Sequence, residues 1–230
     1  YYIKKNPLGK KGDFITSPLV SNIFSEMIAI WLINAWESIG KPKMFNIIEL
    51  GPGSGNLAKT MLKTFQNFIN FSKSLNFFLY ERSPYLEQLQ KNKIKGKNVF
   101  WINNLSKIKN GPTFFIGNEF FDAFPVKQYY RKNNSLFEKF LKFKKEKIIE
   151  FQVPAKKIDE TKIKKFNCIK KAKFFEYPKL GLKELEKISK KIKKNTGGIL
   201  LIDYGDKKTS KVETIQSVKS HKFNKIFENI

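Results

Sequence analysis

The sequence predicts an α/β fold: a parallel sheet with helices on both faces, interrupted by a small antiparallel β insertion. Three observations carry this. Short apolar runs alternate with longer segments whose apolar residues recur at helical spacing. A glycine-rich turn follows the first of those runs directly. Between Val126 and Val153 the alternation gives way to closely spaced strand-like runs.

Residues 1 to 16, with Pro7, Gly9 and Gly12, read as a loop. Thr16-Ser17-Pro18 reads as a helix start, with Ser17 as N-cap and Pro18 at the first helical position. Phe24, Met27, Ile28, Trp31, Ala35 and Trp36 then recur at helical spacing, and Gly40 ends the run. Phe45 to Leu50 is a buried strand ending at the glycine turn. Leu57, Met61, Leu62, Phe65, Phe68 and Ile69 mark one further helix. Phe77 to Tyr80 is a second buried strand, closed by Glu81, and Ser83-Pro84 caps the helix after it. Val99 to Ile102 and Thr113 to Gly117 are the third and fourth strands.

Gln128 to Arg131, Leu136 to Phe143 and Ile148 to Val153 form the insertion, joined by turns at Asn133-Asn134 and near Lys145-Glu146. Residues 154 to 173 are lysine-rich with few core positions and read as a surface segment. Leu182 to Ile192 is an amphipathic helix ended by Gly197-Gly198, and Ile199 to Ile202 is a fifth buried strand closing at Asp203. The organisation expected is a loop and helix over 1–44, a core over 45–125, an insertion of hairpins and basic chain over 126–178, and the end of the core over 179–230.

With 230 residues, 41% of them hydrophobic, the chain can bury one sizeable core. Its most apolar stretch, Ile23 to Ile39, is broken by Glu26 and Glu37, so no run of about 18 uncharged apolar residues suggests a membrane span. No secretory leader is recognisable, and a cytoplasmic setting is expected. Lone Cys168 excludes an internal disulfide, and lone His221 excludes a histidine metal cluster. The net charge of +25 would suit an anionic partner. Against this, the lysines spread from Lys4 to Lys225, and Lys, Asn, Ile and Phe all have AT-rich codons. Coding bias accounts for the charge more simply. Only Arg82 and Arg131 are arginines, too few for bidentate base readout, so nucleic acid is not the favoured partner.

The turn Glu49-Leu50-Gly51-Pro52-Gly53-Ser54-Gly55-Asn56 lies where open parallel sheets bind ligands, at the carboxyl end of a strand. Its glycines admit a ligand close to the backbone, and the next helix offers free N–H groups. Glu81, at the end of the second strand, can accept both ribose hydroxyls. A dinucleotide site calls for Gly-x-Gly-x-x-Gly; this turn is Gly-x-Gly-x-Gly, with an acid two residues ahead. Glu49 would repel a pyrophosphate but attract the methionine ammonium of S-adenosylmethionine (SAM), so SAM is preferred to NAD.

The fourth strand runs into Gly117-Asn118-Glu119-Phe120-Phe121-Asp122-Ala123-Phe124-Pro125. Glu119 and Asp122, three apart, would face one pocket if they shared a helical turn. Two carboxylates would then suit a planar guanidinium. Asp122 has the alternative of capping the following turn. Asp13 and Thr16, on the glycine-hinged segment before Ser17, are candidates for a lid over the cofactor. Glu176-Tyr177-Pro178 and Asp203-Tyr204-Gly205 add acids beside aromatics. Trp101 either stacks on adenine or packs in the core, the more common place for a Trp.

Taken in order, Tyr1-Tyr2, Asn6-Pro7, Gly12-Asp13-Phe14-Ile15-Thr16-Ser17-Pro18, Glu49-Leu50-Gly51-Pro52-Gly53, Asn118-Glu119-Phe120-Phe121-Asp122-Ala123 and Leu201-Ile202-Asp203-Tyr204-Gly205 resemble the MidA-like methyltransferases. That family includes the mitochondrial complex I assembly-factor arginine methyltransferase. The resemblance spans nearly the whole chain, although Ala155 to Lys173 matches poorly. It implies a class I SAM-methyltransferase, Rossmann-like fold and protein arginine methylation tied to assembly of respiratory complex I.

Joined to the residue reading, the resemblance has Glu49, Gly51, Pro52, Gly53, Gly55, Glu81, Asn118 and Thr16 holding SAM. Glu119, with Asp122 or Asp13, orients a protein acceptor. Two rivals stay open: a methyltransferase for RNA or a small molecule, and a non-catalytic SAM-binding assembly factor. The family continues into further sheet beyond Thr214-Ile215-Gln216 and His221, while only 27 residues follow Asp203 here. A bacterial fragment, short of its first residues and last strands, is therefore expected.

Overall fold

The computed structural model describes residues 21–133, 135–144, 147–169, 172–205, 213–219 and 222–224. The described residues up to Asp122, with Glu184–Asp203, form one compact unit, and Ala123–Lys183 belongs to a second.

In the first unit, five strands make a wholly parallel sheet: β1 (Phe45–Leu50), β2 (Leu75–Tyr80), β3 (Val99–Ile102), β4 (Thr113–Asn118) and β9 (Gly197–Ile202), in the spatial order β3-β2-β1-β4-β9. Order reverses between β1 and β4, so the end of β1 stands at the switch point. Strands β1 and β2 are buried throughout, which explains their near-continuous apolar runs. Alternation then sorts residues to two faces. Phe45, Ile47, Phe77, Leu79, Phe114 and Ile116 join one core cluster with helix α1 (Asn22–Ser38) and helix α2 (Asn56–Phe65). Ile48, Leu50, Phe78, Tyr80 and Phe115 join another with Ile188 of helix α6 (Lys179–Asn195).

Helix α1 takes Ser21 as its N-cap, the hydroxyl accepting from the Ile23 amide. The start expected at Ser17-Pro18 lies outside the described residues. Its buried stripe is Ser25, Ile28, Ala29, Leu32, Ile33 and Trp36, whereas Met27 and Trp31, expected inside, are exposed. The helix is apolar nearly all round, so the sequence offers no contrast by which to choose a face. The single helix expected over Leu57–Ile69 is two, α2 and α3 (Ile69–Ser74). The Ser72 hydroxyl donates to the Phe65 carbonyl at 2.6 Å, satisfying an end group there and letting the chain turn. Helix α4 (Pro84–Lys93) has the Ser83 cap and Pro84 start expected of it.

Gly197-Gly198 does not end helix α6; it opens β9. Thr196, at φ 59°, makes the reversal. Gly197 sits so close to β4 that a Cβ there would lie 1.9 Å from the Thr113 carbonyl oxygen.

The second unit is an antiparallel sheet in the order β7-β6-β5-β8, from β5 (Lys127–Lys132), β6 (Ser135–Lys144), β7 (Lys147–Pro154) and β8 (Phe174–Tyr177). Strand β8 has no counterpart among the strands expected from the sequence, and residues 154 to 173 are not merely surface. They contain helix α5 (Lys157–Ile163), whose Ile163 joins Tyr129, Leu136, Phe175 and Tyr177 in a core. Asp159, fully buried, accepts from Lys179 Nζ at 2.5 Å, the Tyr129 hydroxyl at 3.1 Å and Lys127 Nζ at 3.3 Å. Burial pushes its carboxyl up, but these donors hold it below the usual carboxylate range. Lys127 and Lys179, both outside the 154–173 segment, thus serve a buried acid within it. Ser217–Lys219 and Lys222–Asn224 pair as a two-stranded ribbon.

Candidate functional site

At the carboxyl end of β1 the chain enters the glycine turn. Gly51, Gly53 and Gly55 have φ of 61°, 54° and 78°, all left-handed, a backbone that glycine adopts without the steric penalty other residues meet. The Gly51 amide donates to the Tyr80 carbonyl at 3.1 Å, and the Gly55 amide to the Pro52 carbonyl at 2.8 Å. Gly55 is the N-cap of α2. Lys93 braces the turn from α4, donating to the Ser54 carbonyl at 3.0 Å and Asn56 Oδ1 at 3.2 Å; burial and nearby Lys59 lower its pKa.

Two polar side chains interrupt β1, and they differ. Asn46 donates to the Lys109 carbonyl at 3.0 Å and to Thr113 Oγ1 at 3.3 Å. Glu49, only 3% exposed, has an Oε2 with no hydrogen-bond partner. Burial, with the charge of Glu81 second, raises its pKa to about 8. Burial thus favours the protonated carboxyl, and a donor or a cation beside it would reverse that. Asn118 ends β4, next to β1, on the sheet face that Glu49 occupies, since Glu49 is in register with Ile116. Its Oδ1 is likewise buried with no partner. Two orphaned acceptors thus stand at the ends of adjacent strands.

Glu81, one strand over, is fixed on both oxygens. Oε1 accepts from the Arg82 and Ser83 amides, each at 2.8 Å, and Oε2 from Gln90 Nε2 at 3.2 Å. Trp101 on β3 packs at the edge of the core and donates its indole N–H to Gln90 Oε1 at 3.0 Å.

After Asn118 the chain does not form the helical turn expected to bring Glu119 and Asp122 to one side. Glu119 is left-handed at φ 49°, its amide donates to the Ile202 carbonyl at 2.8 Å, and residues 121 to 124 are bends and turns. An extended strand running into one left-handed residue breaks the helical spacing. Asp122 is exposed. Glu119 stays at the strand end, where Asn118 Nδ2 reaches its Oε1 at 3.4 Å. Phe120 lies over the glycine turn, so a Cβ on Gly51 would be 2.8 Å from its ring.

The residues brought together are therefore Glu49, the glycine turn with buried Pro52, Glu81, Asn118 and Glu119. Asp203 is exposed at the end of β9. Glu176 belongs to the antiparallel sheet, accepting from Gln128 at 2.9 Å and from Thr214. Asp13 and Thr16 lie outside the described residues. Sequence reasoning does not single out Gln90 or Lys93. The signal for Gln90 is a polar residue four after Leu86, on the buried face of α4.

The chain matches, over residues 27–230, the family model described as "Putative S-adenosyl-L-methionine-dependent methyltransferase". Among curated proteins it is similar to the mitochondrial protein arginine methyltransferase NDUFAF7. The identity is 36% over 150 residues with that of Xenopus laevis, covering 55% of this chain and 34% of that one. With the Danio rerio protein it is 27% over 256 residues, covering 99% and 60%. With the Homo sapiens protein it is 28% over 260 residues, covering 98% and 56%. The chain thus spans between 34% and 60% of the length of these relatives. Its fold is similar to that of a Burkholderia thailandensis crystal structure bound to S-adenosyl-homocysteine, with a TM-score of 0.68 at 17% identity, covering 87% of this chain and 52% of that one. Among the described residues no helix is long and apolar enough to cross a membrane.

Proposed function

The chain belongs to this family of SAM-dependent methyltransferases, and we propose that it is a protein arginine N-methyltransferase. The observation that carries the cofactor reading is the pair of orphaned acceptors, Glu49 Oε2 and Asn118 Oδ1, beside the glycine turn. Acceptors buried without donors suit an ammonium, and neither suits a pyrophosphate. Glu49 and Asn118 would hold the amino end, the Gly51–Gly55 backbone would lie against the ligand, and Glu81 would accept from the ribose. Thr16 and Pro52 complete the proposed cofactor set.

SAM supplies an electrophilic methyl group on a sulfonium sulfur. The protein's tasks are alignment, desolvation and removal of one proton from the guanidinium nitrogen that gains the methyl. Glu119 is proposed for the last, since its carboxylate stands at the strand end beside Asn118 and can accept from a guanidinium fork. Asp122 and Asp13 are proposed as helpers in holding the acceptor. The names of the curated relatives support arginine as the acceptor. The proposal extends to assembly of respiratory complex I, as the motif resemblance implies, and to a bacterial cytoplasmic setting.

The test is labelling of a lysate with tritiated SAM, followed by separation of protein from RNA and by acid hydrolysis. Label is expected in methylarginine. Label in RNA or in small molecules would overturn the acceptor. Glu119→Gln is expected to keep S-adenosyl-homocysteine affinity within about threefold and lose about a hundredfold in turnover. Full turnover in that variant would remove Glu119 from catalysis, whereas lost turnover with intact ligand binding and full function in cells would favour a non-catalytic SAM-binding assembly factor.

A further inference from the structure

Gln90 is completely buried, on a helix that otherwise contributes only Leu86 to the interior. Its amide makes three hydrogen bonds, each to a different part of the site. Nε2 donates to the Gly53 carbonyl at 2.8 Å and to Glu81 Oε2 at 3.2 Å, and Oε1 accepts from Trp101 Nε1 at 3.0 Å. The partners dictate the orientation of the amide. An indole N–H can only donate, and a carbonyl and a carboxylate can only accept, so flipping the amide would lose all three bonds. Its stem also lies against the turn: a Cβ on Gly55 would be 3.2 Å from Gln90 Cγ. One side chain therefore joins the turn after β1, the acid after β2 and the indole on β3.

We propose that Gln90 is a positioning residue for the cofactor's ribose. Glu81 Oε1 already accepts two backbone amides, and Gln90 takes one of the two lone-pair directions of Oε2. What remains is a single directed acceptor, enough for one ribose hydroxyl and not for the two expected from the sequence, at a fixed angle and a fixed distance from the glycine turn. This rests on the SAM reading above. Glutamate at position 90 would retain the shape but set a second carboxylate against Glu81 and remove the donor to Gly53. Methionine would retain the bulk and remove every hydrogen bond.

The test is calorimetric binding of S-adenosyl-homocysteine and of its 2′,3′-dideoxy analogue to wild type, Gln90→Met and Gln90→Glu. Wild type is expected to prefer the hydroxylated ligand by about tenfold or more, the scale of hydrogen bonds to a charged group. Both variants are expected to bind the two ligands within about threefold of each other. A general packing defect would weaken both ligands equally and preserve the ratio, so an undiminished ratio in a folded variant overturns the proposal. Should Gln90→Met fail to fold, Gln90→Glu decides. Its affinity relative to wild type is expected to recover as pH falls and its carboxyl becomes a donor; no such recovery counts against the proposal. Failure of wild type to bind S-adenosyl-homocysteine would refute the cofactor reading itself, and the positioning role with it.

Discussion

Replacing Glu49 with glutamine should reveal a proton that the folded protein holds and the ligand expels. The folded carboxyl has a pKa of about 8 against an ordinary 4.5. Between these values the folded chain keeps a proton that the unfolded chain has lost, so stability falls as pH rises, by about 1.36 kcal/mol per unit in the middle of the window. The contribution is complete below pH 4.5 and gone above 8. From pH 5 to pH 7 the loss integrates to about 2.5 kcal/mol. The Glu49→Gln variant also buries a polar amide, but at a cost that does not change with pH. Denaturant melts of wild type and Glu49→Gln across that range should therefore converge or cross, the difference shifting by about 2.5 kcal/mol in favour of the variant.

Binding gives a second measurement. At pH 7 about nine-tenths of Glu49 is protonated, so S-adenosyl-homocysteine, bringing an ammonium, should release about 0.9 proton. Calorimetry in buffers of different ionisation enthalpy counts it directly. A wild type that releases no proton, or a Glu49→Gln variant that releases as many, would refute this role for Glu49.

Two further outcomes concern the scaffold. Gly197→Ala should destabilise the protein by roughly 3 kcal/mol or more, because φ is 146° and the new methyl group would meet the Thr113 carbonyl oxygen at 1.9 Å. A melting temperature lowered by less than about 3 °C would contradict this. Asp159→Asn should cost about 3 kcal/mol by removing the charge that Lys179 and Lys127 share. Because the Asp159 pKa is held below its ordinary value, the wild-type advantage is present above about pH 4 and lost as pH falls through the folded value. Acid melts that stay parallel for the two proteins would refute it.

Much of the parallel core was legible because β1, β2 and β4 are buried almost throughout and read as largely apolar runs; β1 and β3 have the bounds their residues suggested. Failures came where pattern and environment part. Helix α1 is apolar on too many sides to show which face packs. Strand β8 and helix α5 hide among lysines, and the buried acid of α5, Asp159, takes its partners Lys127 and Lys179 from outside that segment. In the site, Glu49, Glu81 and the glycines could be read from position alone, since topology puts strand ends together. The pairing of Glu119 with Asp122 could not, because one left-handed residue undoes helical spacing. Gln90 was invisible because its meaning lies in three partners 37, 9 and 11 residues away.

The ring of Phe120 against Gly51 has a consequence for how this sequence can vary. The two segments that carry the site are not independent ornaments on a common frame; they share a van der Waals surface. Alanine at position 51 must displace a ring 2.8 Å away as well as adopt a φ of 61°, so it should be tolerated only alongside a smaller residue at position 120. In a library randomised at both positions, survivors should therefore show the pair drifting in step, with glycine obligatory wherever the aromatic is retained.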